Sequence, residues 1–354
     1  MMDLINKKIK ELFESTPPSV GVGYGMKVIG GQMTEEECII FTVEKKLPLS
    51  DIPESEIIPS EINIEGKNYR TDVMEVGKIT PIAYPFGPFC NTNVPNIENN
   101  CYNWWSVPPS NRQTQRPLRG GVSVSSYNNP NSVGTLGFLA LDIDTDGLVG
   151  VSNTHVLIRD QAYTSERNLS GQINNETSDY VYQTAEYGPQ SSLIIGQVVR
   201  YVPLLKATGP SGNIQYNQVD GALTSISQDV IDNQSYRILG LSGTTPMPFA
   251  TTAEIDALYL GNMTLASSGR SSGVKQGPNC GLMPYAYNFY LPVGCYYSQG
   301  VCFTANFNNL LCFTRLSSSC AWPIIQGDSG SVLIAQIGGV DKIIGLIFAF
   351  KAVR

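Results

Sequence analysis

The sequence predicts a mainly β protein whose short strands form a sandwich or closed barrels, with a small α+β unit in front. Gly and Pro contribute 34 and 22 of the 354 residues, which is typical of a chain with many turns. Only 15% of the residues are charged, and stretches with a helical period are few. From residue 120 onward, short apolar runs alternate with clusters of Gly, Asn, Asp and Ser, a pattern that indicates a sandwich or barrel.

Residues 1–80 are predicted to form the α+β unit. Met1–Phe13 interleaves lysines with apolar residues, as an amphipathic helix does. Val20–Ile29, Cys38–Val43 and Tyr69–Val76 are apolar runs bounded by turn residues, and we expect them to be strands.

A linker and then the strand-rich part follow. Residues 81–119 hold seven prolines and no clear period, so they are interpreted as an ordered linker, with disorder as the alternative. Residues 120–354 form the larger domain, in which the polar segment Tyr163–Pro189 is predicted to be a surface insertion. The strands predicted in this domain are Gly121–Ser125, Gly134–Asp142, Gly147–Ser152, Ile194–Val202, Val219–Ile226, Val301–Phe307, Leu310–Leu316, Ser331–Ile337 and Lys342–Phe350.

Charge and hydropathy exclude several classes of partner. A net charge of −7 and a pI near 4.9 argue against binding to nucleic acid or to an acidic membrane surface. No apolar run approaches membrane-spanning length, and the amino terminus lacks the apolar core of a signal peptide. We therefore expect a cytoplasmic protein.

The eight cysteines include no CxxC pair, so the sequence does not predict a structural zinc site. Buried free thiols in a reducing compartment are the preferred interpretation. Disulfides such as Cys90–Cys101 are the alternative.

Gly327–Ser331, with the sequence GDSGS, lies between a polar loop and the apolar run Val332-Leu333-Ile334. A nucleophilic serine needs backbone N–H groups aimed at the developing oxyanion, and small neighbours let the loop turn tightly. Ser329 is therefore the candidate nucleophile, with the Gly327 and Ser329 amides as the oxyanion donors. The alternative for its first four residues, GDSG, is an ordinary glycine turn.

His155 is the only histidine of the chain, and it follows the apolar strand that ends in Ser152-Asn153-Thr154. Imidazole is the usual proton shuttle at neutral pH, although a lone histidine is more often structural. Asp220 opens another apolar run and is suited to orient an imidazole and stabilise its cation. The order His155, Asp220, Ser329 matches the chain order of the chymotrypsin-type triad.

These three blocks resemble those of the chymotrypsin/trypsin-like superfamily of serine peptidases. Three further blocks make the chain similar to the Narrow Leaf-type group of bacterial and plant trypsin-like peptidases. They are Gly21–Val43 with Lys45–Pro48 and Thr71–Gly77, then Arg119–Ser123 with Gly134–Gly137, and Gly269–Val274.

The resemblance implies a chymotrypsin-like pair of six-stranded β-barrels over residues 120–354, with the triad in the cleft between them. In the family a further strand or helix closes the second barrel beyond Phe350. A truncated, cleaved or longer protein would account for the sequence ending at Arg354.

The resemblance also implies a position for the primary specificity pocket. The residue six before the nucleophile often floors it, and here that residue is Pro323. No carboxylate precedes Asp328 nearby, and the strand that carries Phe348 is apolar, so a small or apolar P1 residue is expected. Arg270 is left as a pocket residue, a partner contact or, preferably, part of a glycine-flanked turn.

The function predicted from the sequence is a serine endopeptidase that acts on a protein or peptide through an acyl-enzyme. It requires neither metal nor organic cofactor, and assembly into a homo-oligomer is left open. The first alternative is a catalytically silent binding or scaffold protein that uses a peptidase fold in a larger assembly. An esterase or other acyl hydrolase is the second, disfavoured by the strand content and the triad order.

Overall fold

The computed structural model of the chain describes residues 2–17, 20–29, 32–81, 110–127, 129–158, 180–185, 191–241, 243, 246–259, 264–298, 301–315, 324 and 327–351. Strands account for 50% of the structure and helices for little of it, so the predicted mainly β class is confirmed. No helix in these ranges is long and apolar enough to cross a membrane.

The helices and strands are numbered here in chain order. The helices are α1 (Met2–Ser15), α2 (Thr154–Leu157), α3 (Thr252–Tyr259) and α4 (Gly277–Cys280). The strands are β1 (Gly21–Ile29), β2 (Gln32–Val43), β3 (Glu61–Ile64), β4 (Lys67–Glu75), β5 (Ile79–Pro81), β6 (Val122–Ser126), β7 (Asn129–Leu136), β8 (Phe138–Asp142), β9 (Gly147–Ser152), β10 (Tyr180–Tyr182), β11 (Ile194–Tyr201), β12 (Ala222–Ser225), β13 (Leu265–Gly269), β14 (Gly273–Lys275), β15 (Leu282–Ser298), β16 (Val301–Arg315), β17 (Val332–Ile337), β18 (Val340–Leu346) and β19 (Ala349–Lys351).

One sheet has seven strands in the order β7-β6-β10-β11-β12-β9-β8, and the fold includes a sheet that curls into a half-barrel. All the strand pairs of this seven-stranded sheet are antiparallel. Its side chains enclose an apolar core that includes Val122, Val124, Leu136, Val181 and Ile195. Alternating apolar residues along short strands bury one face in this way.

The second sheet has ten strands and joins the two ends of the chain. Its main order is β18-β17-β13-β15-β1-β2-β4-β3, with β14 on β13 and β16 on β15. The amino-terminal strands, predicted to lie in a separate unit, are thus hydrogen-bonded to the carboxyl-terminal strands through β1 and β15, where Val22 faces Tyr290. Helix α1 buries Ile5, Ile9 and Phe13 in an apolar cluster formed with side chains of these strands, because residues four apart share one helix face.

The long β15–β16 hairpin is the main departure from the predicted strands. No strand was predicted over Leu282–Ser298, and β16 is continuous where two strands were predicted. Register shifts interrupt the pairing four times, and Asn309 has a φ of +58°, so a bulge keeps the two residues between the predicted strands within β16.

Two other predicted strands are divided in the structure. Gly134–Asp142 separates into β7 and β8, because Gly137 leaves the ladder where the Gly330 carbonyl approaches it closely. Lys342–Phe350 separates into β18 and β19, and β19 pairs with β5 instead of continuing the main sheet.

The cysteines differ from the preferred interpretation of free thiols. Cys295 and Cys302 form a disulfide across the β15–β16 hairpin, and Cys280 is also disulfide-bonded. Cys38 and Cys312 are free, and burial raises the pKa of each thiol to about 12. Cys90 and Cys101 lie outside the described residues.

Candidate active site

His155 and Asp220 lie at the same end of an antiparallel strand pair. Strand β9 ends at Ser152, which faces Ala222, the first residue of β12. The residues that follow β9 and those that precede β12 therefore leave the sheet side by side. A single register thus brings together two side chains that are 65 residues apart in sequence.

The backbone around His155 is fixed by side chains of the same corner. Asn153 donates from Nδ2 to the Asp220 carbonyl at 2.6 Å, and the Thr154 hydroxyl donates to the Gly221 carbonyl at 2.8 Å. The Ser132 hydroxyl donates to the His155 carbonyl at 3.0 Å. The short polar residues before the histidine thus tie its loop to the aspartate's strand.

The three predicted triad side chains form one hydrogen-bonded chain. His155 Nδ1 lies 2.5 Å from Asp220 Oδ2, and His155 Nε2 lies 2.7 Å from Ser329 Oγ. The His155 backbone amide also donates to Asp220 Oδ1 at 3.2 Å. An ionised carboxylate only accepts hydrogen bonds, so it favours the tautomer with the proton on Nδ1 and leaves Nε2 to accept from the serine hydroxyl.

The triad is buried. The exposed fractions of Ser329, His155 and Asp220 are 0%, 2% and 3%. Burial strengthens the electrostatic coupling within the chain of hydrogen bonds. It also means that Ser329 is not accessible to solvent in this structure.

The loop that carries Ser329 turns through two glycines in the left-handed region, Gly327 with φ +91° and Gly330 with φ +89°. A Cβ on Gly330 would lie 2.1 Å from the Thr135 carbonyl oxygen, so both the φ angle and the space require glycine. Thr135 of β7 holds the loop from the other side: its amide donates to the Ser329 carbonyl at 2.7 Å and its hydroxyl to the Gly327 carbonyl at 2.9 Å.

The two predicted oxyanion donors are the amides of Gly327 and Ser329. Their carbonyls are engaged by Thr135, whereas within the described residues neither amide donates a hydrogen bond to the protein. Both amides belong to the turn that presents Ser329 Oγ. The loop therefore has two backbone donors available next to Ser329.

Asp328 anchors the loop to the turn after β13. Its side chain is completely buried, and Oδ1 accepts from the backbone amides of Ser271 and Ser272, each at 2.9 Å. Lys275 lies nearby and is also buried; burial lowers its pKa, while Asp328 opposes that shift. Asp328 therefore ties the backbone beside Ser329 to the turn after β13.

Arg270 belongs to the same anchor. It is 9% exposed, and Nε donates to the Ser123 hydroxyl at 3.1 Å while its backbone amide donates to the Thr135 hydroxyl at 3.0 Å. The preferred interpretation, a turn, was right in location, but the guanidinium ties this turn to β6 rather than standing free at a glycine bend.

Of the two predicted pocket residues, Phe348 borders Ser329 and Pro323 lies outside the described residues. The Phe348 carbonyl accepts from Ser329 Oγ at 3.4 Å, and its ring centroid lies 4.7 Å from that of Phe307. The backbone of Phe348 therefore lies beside the nucleophile, while its ring packs into the core behind it.

Two residues that contact this site were not predicted from the sequence. Tyr296 donates from its hydroxyl to Asp220 Oδ2 at 3.0 Å, and Thr135 holds the nucleophile loop as described above. Each lies on a strand, whereas its partners Asp220, Gly327 and Ser329 lie in loops distant in sequence, and nothing in the local pattern of either strand indicates the contact.

Within the described residues, no group of three or more His, Cys, Asp and Glu side chains has the arrangement of a metal site. No protein-family model matches the chain, and no curated protein is significantly similar to it.

Proposed function

We propose that the chain is a serine endopeptidase in which Ser329 is the nucleophile, His155 the general base and Asp220 its orienting carboxylate. The observation that supports this most strongly is the continuous chain of contacts from Asp220 Oδ2 through the imidazole to Ser329 Oγ, at 2.5 and 2.7 Å. Heavy-atom distances in this range permit direct proton transfer between the groups.

The proposed reaction has two stages. Ser329 Oγ attacks the peptide carbonyl carbon while its proton moves to His155 Nε2, and Asp220 stabilises the imidazolium. The Gly327 and Ser329 amides bind the oxyanion, and His155 returns the proton to the leaving amine, which leaves an acyl-enzyme. Water then attacks the acyl carbon, giving its proton to His155, and the product acid departs as Ser329 Oγ is reprotonated. No metal or organic cofactor takes part.

We further infer that the two large sheets correspond to the two barrels of a chymotrypsin-like peptidase. His155 and Asp220 lie just beyond the ends of β9 and β12 of the seven-stranded sheet, and strand β17 of the other sheet follows Ser329. Triad members contributed by two sheets are what a cleft between two barrels requires. The half-barrel curl is compatible with this arrangement.

The proposed substrate is an extended protein or peptide segment with a small or apolar residue before the cleaved bond. The segment between β18 and β19 supports this preference, because its residues Ile347 and Phe348 lie beside Ser329 and neither has a charged side chain. We place the enzyme in the cytoplasm, and homo-oligomer formation is compatible with the proposal.

One observation favours the alternative of a catalytically silent binding protein with this fold: Ser329 is completely buried. Both candidates share the fold and differ only in whether Ser329 reacts. Turnover therefore separates them.

The experiment is hydrolysis of a peptide library by the full chain and by Ser329→Ala and His155→Ala variants. Loss of either side chain is expected to lower kcat by on the order of 10⁴-fold or more. Ser267→Ala is the matched control, because this serine is also buried, lies on β13 beside β17 and has no hydrogen-bond partner for its hydroxyl among the described residues. Hydrolysis that survives in Ser329→Ala, or a wild-type chain that cleaves nothing, contradicts the proposal.

A further inference from the structure

The aspartate of the site has a third hydrogen-bond donor that comes from outside its own sheet. Tyr296 lies on β15 of the ten-stranded sheet and is completely buried. Its hydroxyl donates to Asp220 Oδ2 at 3.0 Å, and its ring meets the His155 imidazole edge to face with centroids 5.9 Å apart. One tyrosine therefore contacts two of the three triad side chains.

The surroundings of Tyr296 hold its ring in place. The ring packs against Phe303 and Phe307 of β16, with centroids 5.9 and 5.8 Å away. The Cys295–Cys302 disulfide joins β15 to β16 beside it. A completely buried ring that packs against two aromatic rings of the neighbouring strand has little freedom to rotate, so the direction of its hydroxyl is fixed.

The hydroxyl acts as a donor at all ordinary pH values. Burial raises the pKa of Tyr296 well above its usual range, and the negative charge of Asp220 raises it further. Since an ionised carboxylate offers no proton, the hydrogen bond runs from Tyr296 to Asp220.

Within the described part of the chain, the carboxylate of Asp220 accepts from three donors. Oδ1 receives the His155 backbone amide, and Oδ2 receives both the imidazole Nδ1–H and the Tyr296 hydroxyl. Among the described residues, His155 and Tyr296 are the titratable groups that hydrogen-bond to this carboxylate. Hydrogen bonds to an ionised group are about twice as strong as those between neutral groups, and they stabilise its charge.

We propose that Tyr296 is a positioning residue for the triad, which orients the Asp220 carboxylate toward His155 and moderates its negative charge. This inference rests on the proposed function, because it assigns Tyr296 a role in the same proton transfer. A tyrosine that served only to fill the core would affect stability but neither the rate of proton transfer nor the titration of His155.

Tyr296→Phe removes one oxygen and keeps the ring. Loss of a hydrogen bond to a charged group corresponds to a roughly 10- to 100-fold fall in kcat. The carboxylate would then bear more negative charge toward the imidazole, so His155 is expected to hold its proton to higher pH and the acid limb of the rate profile to move upward.

His155 allows a direct measurement that does not depend on turnover, because it is the only histidine of the chain. Nitrogen-15 NMR of the labelled full chain follows this single imidazole through a pH titration. The titration midpoint is expected to move to higher pH in Tyr296→Phe. It is expected to stay unchanged in the matched control Tyr287→Phe. Tyr287 lies on the same strand as Tyr296, but its hydroxyl contacts Met2.

A double-variant comparison tests whether Tyr296 acts through Asp220. If it does, Tyr296→Phe combined with Asp220→Asn reacts as slowly as Asp220→Asn alone. Equal midpoints for the wild-type and Tyr296→Phe imidazoles, or a further full loss of rate in the double variant, would overturn the inference. If instead the wild-type chain hydrolyses no peptide while the midpoint moves, the proposed function fails and the hydrogen-bond role of Tyr296 stands.

Discussion

Replacing Asp220 by Asn removes one acceptor from a carboxylate that receives three donors, and the result can be worked out from the geometry. In the wild-type chain the His155 backbone N–H donates to Asp220 Oδ1 at 3.2 Å. If the amide oxygen of the new side chain keeps the Oδ2 position, its NH₂ group takes the place of Oδ1 and faces this N–H. That leaves a buried donor opposite a donor, at a cost of about 1–3 kcal/mol. If the side chain flips, the NH₂ group faces His155 Nδ1.

The flipped orientation spares the backbone contact but reverses the imidazole tautomer. Nδ1 must then accept a hydrogen bond, so the ring proton moves to Nε2, which can no longer accept the proton of Ser329. A substitution of this kind costs about 10⁴-fold in kcat, equivalent to about 5.4 kcal/mol of transition-state stabilisation. The fold should persist, since volume and shape are preserved.

The assay is the second-order rate constant for labelling of the full chain by a fluorophosphonate probe. We expect Asp220→Asn to label about 10⁴-fold more slowly than wild type. Asp144→Asn provides the same chemical change at a side chain that is 65% exposed, and it should label at the wild-type rate. A labelling rate for Asp220→Asn within tenfold of wild type would refute the assignment of Asp220 as the orienting carboxylate.

Two further predictions concern stability. Gly330→Ala places a Cβ 2.1 Å from the Thr135 carbonyl oxygen at a φ of +89°, so urea unfolding should show that the free energy of unfolding falls by about 3 kcal/mol or more. In the control Gly338→Ala, at φ +59° with open space around it, the free energy of unfolding should fall by only about 1–2 kcal/mol. Equal losses would show that the close approach to Thr135 is not the cause. The Lys342 hydrogen bond lowers the pKa of Glu254 from 4.5 to about 2, so this pair stabilises the folded state fully above pH 4.5 and loses its effect as the pH falls toward 2. The difference in unfolding midpoint between wild type and Glu254→Gln should therefore be present at pH 7 and vanish near pH 2, and a difference that does not change with pH would contradict this.

Local sequence patterns predicted the parts of the site that lie at strand ends. The strand Gly147–Ser152 has the predicted bounds, because its apolar run ends abruptly in short polar residues. His155 follows directly, and Asp220 precedes β12 at the paired end. The GDSGS loop turns where its glycines allow positive φ. Each of these features depends on a few neighbouring residues, so a single sequence contains the information.

The remaining features depend on contacts between distant residues. No strand was predicted over Leu282–Ser298, yet this segment forms β15, whose pairing with β16 is interrupted by register shifts, one of them directly after Pro284. Tyr296 meets Asp220 across 76 residues and from another sheet. The amino-terminal strands were predicted to form a unit of their own, because nothing in their sequence pattern shows that β1 also pairs with β15.

The most direct test of the proposed chemistry is the site and stoichiometry of covalent modification. The full chain is treated with a fluorophosphonate, its intact mass is measured, and the modified residue is located by peptide mass spectrometry. The proposal predicts one adduct per chain on Ser329, with none in His155→Ala under the same conditions. An unmodified wild-type chain beside a labelled reference serine peptidase, or an adduct on another residue, would contradict it.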